Sequence, residues 1–280
     1  MQPLIFAHAN SFAAGTYRLL LSLLRERGFD AQALPRFGHD VRYPVTDGWP
    51  HLVQQLADFA APLVQRWGQP AYLVGHSLGG FLSVMTAAQH PQLARGVLML
   101  DAPLVGGWRA TSLAAAKRAQ VIASVSPGKI SRKRRNQWAT QEDALAGFQS
   151  KKSFARWHPE VLHDYVQHGI VDDGQGRFTL HFSREEETAI YNTLPHHLRS
   201  LLRRHPLRCP AAFIGGLQSL EIGQVGLELT RQVTHGRISM LDGSHLFPME
   251  SPHATAAAIE ASLLALPPLT KTQKQSSMPV

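Results

Sequence analysis

The 280 residues are 44% hydrophobic and 17% charged, enough apolar material for a substantial core without cross-links. The one cysteine, Cys209, excludes an intramolecular disulfide and fits a reducing compartment. The N-terminus lacks a basic stretch followed by an apolar run, and no apolar segment reaches the roughly 20 residues of a membrane span; together these features point to a cytoplasmic protein. The formal charge of +8 invites a nucleic-acid reading, but the densest basic run, Lys129, Arg132, Lys133, Arg134 and Arg135, lacks a recognised binding motif. It reads as a solvated face, with no nucleic-acid partner.

In chain order, residues 4–7 form a short apolar strand that enters the small-residue turn His8-Ala9-Asn10-Ser11. A helix is expected over 15–27, with Leu19, Leu20, Leu23 and Leu24 on one face and Gly28 as its stop. A strand near 30–34 and a helix over 49–67 follow, the latter carrying Leu52, Leu56, Phe59, Leu63 and Val64 at helical spacing. Residues 71–74 then make a strand running into Gly75, 78–89 a helix ending before Pro91, and 97–100 a strand leaving through Asp101-Ala102-Pro103. Strand, sharp turn, helix, strand is a right-handed βαβ unit of a parallel sheet, which sets the class as α/β.

Beyond Pro103 the pattern changes to helix and loop with weak strand signals, and sheet-like alternation returns at 209–215 and 237–241, with helices near 225–234 and 254–266. The expected organisation is a core from 1–103, an insertion over 104–205, the rest of the core over 206–266 and a tail over 267–280. No tandem repeat is present.

The segment with the clearest chemistry is Gly75-His76-Ser77-Leu78-Gly79. A serine on a tight strand-to-helix turn has its oxygen lifted out of the sheet, and the following helix N-terminus favours developing negative charge. Small residues on either side relieve the crowding such a turn creates. With its strand and helix in place, this run resembles the nucleophile turn of the α/β-hydrolase fold superfamily, and more narrowly of its members with a helical cap inserted after the sixth family strand.

The resemblance covers nearly everything from Pro3 to Leu266 and implies a mostly parallel sheet flanked by helices, with Ser77 as nucleophile. It also implies a histidine base in the loop after the last strand, where Gly243-Ser244-His245-Leu246-Phe247-Pro248 offers His245. The first strand-to-helix loop implies an oxyanion hole made by the backbone N–H groups of Asn10 and Leu78, although Ala9 stands where the family usually has glycine. The usual acid lies shortly after the strand at 209–215, but this chain reads Gly216-Leu217-Gln218-Ser219 there, and Ser219 cannot supply the charge. Asp101, at the end of the sixth family strand, matches an alternative position used by some members, and Glu221 is the second choice.

Such a set implies acyl transfer by a serine hydrolase, most simply of a small or medium carboxylic ester. Serine rather than aspartate at 77 argues against an alkyl-enzyme route. The competing readings are a carbon–carbon bond hydrolase of activated diketones and a non-catalytic binding or regulatory protein on the same scaffold. No cofactor and no metal is implied: His196, His197 and His205 lack accompanying ligands, and Gly215-Gly216 is not a nucleotide-binding motif. The partner is a small, partly apolar substrate, with Phe12, Trp108, Trp138 and Trp157 as candidate wall residues, and the oligomeric state is left open. The run from Arg184 to Glu187 reads as an exposed helix start.

Overall fold

A computed structural model describes residues 1–118 and 131–268. Its first part alternates strand and helix: β1 (Gln2–Ala7), α1 (Arg18–Glu26), β2 (Phe29–Ala33), α2 (Pro50–Trp67), β3 (Ala71–His76), α3 (Leu78–Gln89) and β4 (Ala94–Leu100). The helix expected over 15–27 opens with a separate tight turn, Ala14–Tyr17, before α1. That turn buries Tyr17.

The insertion contains α4 (Gly107–Arg118), β5 (Gln137–Trp138), α5 (Gln141–Gln149), α6 (Pro159–Gly169), β6 (Ile170–Asp172), β7 (Phe178–Leu180), α7 (Arg184–Asn192) and α8 (Leu198–Arg204). Thr140 and Ser183 accept the first free amides of α5 and α7, from Asp143 and Glu186, each at 3.1 Å. The weak strand signals correspond to a small antiparallel sheet in the order β5-β7-β6. Its strands are two or three residues long, too short for any alternation to register in the sequence.

The chain returns through β8 (Ala211–Gly216), α9 (Leu220–Val225), α10 (Glu228–Thr234), β9 (Ile238–Leu241), α11 (Phe247–Glu250) and α12 (Pro252–Leu264). The helix expected near 225–234 is α10, starting at Glu228, and the unexpected short α9 precedes it, with Gly226, at φ 75°, turning the chain between them.

The large sheet has the order β2-β1-β3-β4-β8-β9 with every neighbouring pair parallel. Alternate residues of one strand therefore serve two separate cores: Val97 and Met99 of β4 pack with α2, α3 and α10, whereas Leu98 and Leu100 pack with α1 and α12. The second core continues without a break into the insertion through Trp138, Phe148, Trp157, Val161 and Tyr165. Among the described residues, no helix is long and apolar enough to cross a membrane.

Candidate active site

Ser77 is the single residue between β3 and α3, held at φ 52° and ψ −116°. Its N–H donates to the Leu100 carbonyl at 2.9 Å, and its own carbonyl accepts two amides from the first turn of α3, of Gly80 at 2.9 Å and Phe81 at 3.3 Å. The turn is so tight that a Cβ on Gly75 would stand 2.1 Å from the Gly79 carbonyl carbon, and one on Gly79 would stand 1.9 Å from the Ala7 carbonyl oxygen. Glycine is thus required where backbone meets backbone. Ser77 is half-buried while its neighbours on both sides are buried.

The positive φ of Ser77 is not isolated. Ser11 at 74° and Asp101 at 42° share it, so three of the five non-glycine residues with positive φ among those described follow β1, β3 and β4 at one end of the sheet. Backbone held in a sparsely populated region at converging strand ends is a mark of a functional site.

His245 enters from the loop after β9, which is pinned by Ser244: its N–H and hydroxyl both donate to the Glu250 carboxylate, at 3.0 and 2.6 Å. The His245 Nε2 atom lies 3.0 Å from Ser77 Oγ, and Nδ1 lies 2.7 Å from Asp101 Oδ2. Asp101 is fully buried, yet its carboxylate is well supplied with donors. Gly216 N–H reaches Oδ1 at 2.7 Å, and the Ser219 hydroxyl reaches Oδ2 at 2.5 Å. Burial works against its charge, but the hydrogen bond and charge attraction of His245, together with Ser219 and Gly216, hold the carboxyl below its ordinary range.

Of the two acids named from the sequence, Asp101 is therefore the one in direct contact with His245. Glu221 stands 3.7 Å from Nδ1 on a side chain that is 43% exposed. Ser219, at the expected aspartate position, donates to Asp101 while accepting the Ile222 amide at 3.2 Å as the cap of α9. This link was not foreseen from the sequence, where Ser219 registered only as a missing charge.

The two backbone amides named for an oxyanion hole are oriented by what their own peptide planes do on the other side. The Ala9 carbonyl accepts from His8 Nδ1 at 2.8 Å and from the Phe12 amide at 3.3 Å. Because a trans peptide points its C=O and N–H in opposite directions, these bonds aim the Asn10 N–H away from that turn. The same holds for the Ser77–Leu78 peptide, whose carbonyl is committed to α3 and whose N–H faces out of the helix start. Among the described residues, neither amide donates to a protein acceptor.

Three histidines in or beside this region are neutral. Burial is the main cause in each: it pulls His8 and His39 from an ordinary 6.5 to about 4, and His76 to about 3. The unfolded chain would take up these protons below about pH 6.5 while the folded chain refuses them until about pH 4 or 3. Stability is thus expected to fall as the pH drops from 6.5, by up to about 1.4 kcal/mol per pH unit for each of the fully buried rings, His8 and His76. Melting temperatures at pH 7, 6 and 5 test this, and a flat profile would contradict buried neutral rings.

Above the site, Phe12 is half-buried and reaches from the turn after β1 to Trp157 and Tyr165, with ring centroids 5.7 Å away in both cases. Trp157 is 6% exposed, and its indole N–H has no protein partner among the described residues. Trp138 is buried deeper in the insertion, packed on Phe148 at 5.4 Å. Trp108 lies on α4, but its side chain is outside the described set, as is Lys129 of the basic run.

Two charged residues depart from the sequence reading. Arg134 is not part of a solvated face: its guanidinium donates to Glu187 at 2.8 Å and to the Tyr165 hydroxyl at 2.7 Å. Arg184 does begin a helix, but Glu187 is buried within the insertion to meet Arg134. The backbone carbonyl of Glu187 also accepts the Asn10 side-chain amide at 3.0 Å, which fastens α7 to the turn after β1.

Asp101, Glu221 and His245 bring ligand-type atoms within 4.8 Å of one another. His245 Nδ1 faces Asp101 at hydrogen-bond distance, and both Asp101 oxygens accept donors.

Comparison with known proteins agrees with this architecture. A family model described as the alpha/beta hydrolase family matches residues 4–258. An abhydrolase domain-containing protein of Alternaria alternata, ACTT2, is 30% identical over 129 residues, so that the match spans 44% of this chain and 44% of that relative. Among solved structures, E-2-(acetamidomethylene)succinate hydrolase superposes with a TM-score of 0.68 at 21% identity, covering 94% of this chain and 92% of the other. An esterase of M. tuberculosis superposes at 0.67 and 20% identity, covering 94% and 86%. At those identities the two structures speak for the fold, while the family model spans nearly all of β1 through α12. The chain belongs to the alpha/beta hydrolase family.

Proposed function

We propose that the protein is a serine hydrolase that cleaves carboxylic esters through an acyl-enzyme on Ser77. The observation that carries this reading is the continuous contact from Ser77 Oγ to His245 Nε2, at 3.0 Å, and from His245 Nδ1 to Asp101, at 2.7 Å. His245 takes the Ser77 proton as the oxygen attacks the ester carbonyl. Asp101, buried and anionic, fixes the proton on Nδ1 and stabilises the imidazolium that forms. The Asn10 and Leu78 amides receive the oxyanion; as it collapses the ester C–O bond breaks and His245 gives its proton to the departing alcohol. His245 then activates a water that attacks the acyl carbonyl and releases the acid and Ser77.

The acyl or alcohol portion of a small or medium, partly apolar ester would rest on Phe12, with Trp157 behind it. The donors that face Asp101 support the assignment of Asp101, rather than Glu221, as the acid. A rhodamine-tagged fluorophosphonate tests the reading: it is expected to label the wild-type chain and to leave Ser77→Ala unlabelled. A folded wild-type chain that resists the probe would overturn the proposal.

A further inference from the structure

Two fully enclosed polar side chains take no part in the chemistry above. His76, the residue before Ser77, and Tyr17, in the tight turn before α1, are 0% and 1% exposed and 2.7 Å apart between Nδ1 and the hydroxyl. The proton positions in this pair follow from its other partners. His76 Nε2 lies 2.8 Å from the His245 carbonyl oxygen, which can only accept, so Nε2 carries the hydrogen. The neutral ring then has a bare Nδ1, which accepts from the Tyr17 hydroxyl. The Tyr17 oxygen in turn accepts the Ala9 N–H at 3.2 Å.

The result is one directed chain, from the Ala9 amide through Tyr17 and His76 to the His245 carbonyl. Its two ends are significant. Ala9 shares a peptide with Asn10, whose N–H is the first oxyanion donor of the proposed mechanism, and His245 is its base. These groups arrive on separate loops, after β1 and after β9, and His76 sits on β3 between them. The His76 and His245 rings are 5.1 Å apart between centroids, so the contact is local.

We propose that His76 and Tyr17 are positioning residues that set the distance between the general base and the oxyanion turn by hydrogen-bonding the backbones of both. The proposal rests on the reading of Ser77 and His245 as nucleophile and base. It explains why a ring with two opposed nitrogens sits before the serine: one side holds a carbonyl, the other a hydroxyl, and an aliphatic side chain there would leave the His245 carbonyl without a donor and the Tyr17 hydroxyl hydrogen without an acceptor. A misplacement of reacting groups by about 1 Å is enough to cost on the order of a hundredfold in rate.

The test uses the purified full chain, the fluorophosphonate as a probe of Ser77 reactivity, and p-nitrophenyl butyrate for kcat and KM. Tyr17→Phe and His76→Leu are expected to slow labelling and lower kcat by about ten- to a hundredfold, with KM within about twofold. His76→Gln, whose amide still reaches the His245 carbonyl, is expected to recover most of the loss that His76→Leu causes. Melting temperature and circular dichroism separate folding from positioning. Variants that melt earlier yet label at the wild-type rate would reduce His76 and Tyr17 to packing and overturn the proposal, as would a His76→Gln variant no faster than His76→Leu. Should Tyr17→Phe not fold, the Leu and Gln pair decides alone. A wild-type chain that the probe does not label removes the underlying reading and the proposal together, whereas a labelled wild type with unchanged variants removes only the proposal.

Discussion

Asp101→Asn is expected to lower kcat on p-nitrophenyl butyrate by about a thousandfold to ten-thousandfold, with little change in KM. The amide is the same size as the carboxyl and can keep the Gly216 contact, but it carries no charge for the imidazolium and can present an N–H to His245 Nδ1 in place of an acceptor. The neighbouring residues make the experiment more informative than the single variant. Ser219 Oγ is 2.5 Å from Asp101 Oδ2, so Asp101→Asn combined with Ser219→Asp returns a negative charge one side chain further out and is expected to recover at least about tenfold. Glu221→Gln alone is expected to change kcat by less than about threefold, given its exposed side chain and 3.7 Å separation. If Asp101→Asn were nearly silent and Glu221→Gln severe, the acid would be Glu221.

The same residues show how far the sequence reaches. Ser77 was legible because its chemistry needs a local backbone shape, strand then one residue then helix, and the small residues that permit this shape are adjacent in the chain. His245 and Asp101 were legible only with the help of resemblance, since loops brought together by β4, β8 and β9 leave no local pattern. The sequence offers Asp101 and Glu221 as alternatives, and their distances to His245 Nδ1, 2.7 and 3.7 Å, carry no trace in it. Arg134 and Glu187 were read as surface charges because composition cannot show that two opposite charges 53 residues apart bury one another. Tyr17 and His76 are silent for a similar reason: they meet each other across 59 residues, and their other partners are backbone groups, which carry no side-chain signature.

The second large effect is expected at Gly79. Replacing it by alanine puts a Cβ 1.9 Å from the Ala7 carbonyl oxygen, and since the obstacle is backbone, no side-chain rotation relieves it. Either α3 or the end of β1 must retreat by about 1 Å, in a region where the packing leaves little slack. The expected cost is more than about 3 kcal/mol of stability, read from urea denaturation. Ala7 leads directly into His8, Ala9 and Asn10, and Gly79 follows directly on Ser77 and Leu78, so a retreat of either element shifts the Asn10 and Leu78 amides relative to each other, the two donors of the proposed mechanism. Chain that still folds is therefore expected to label with the fluorophosphonate at least about a hundredfold more slowly than the wild type. Gly147→Ala is the matching control. Its Cβ would meet nothing nearer than the Trp138 ring nitrogen at 3.8 Å, and within α5 the change is expected to raise stability by about 0.5–1 kcal/mol without altering the labelling rate. Equal behaviour of the two glycine variants would mean that the close approach of β1 to the Ser77 turn is not what shapes the site.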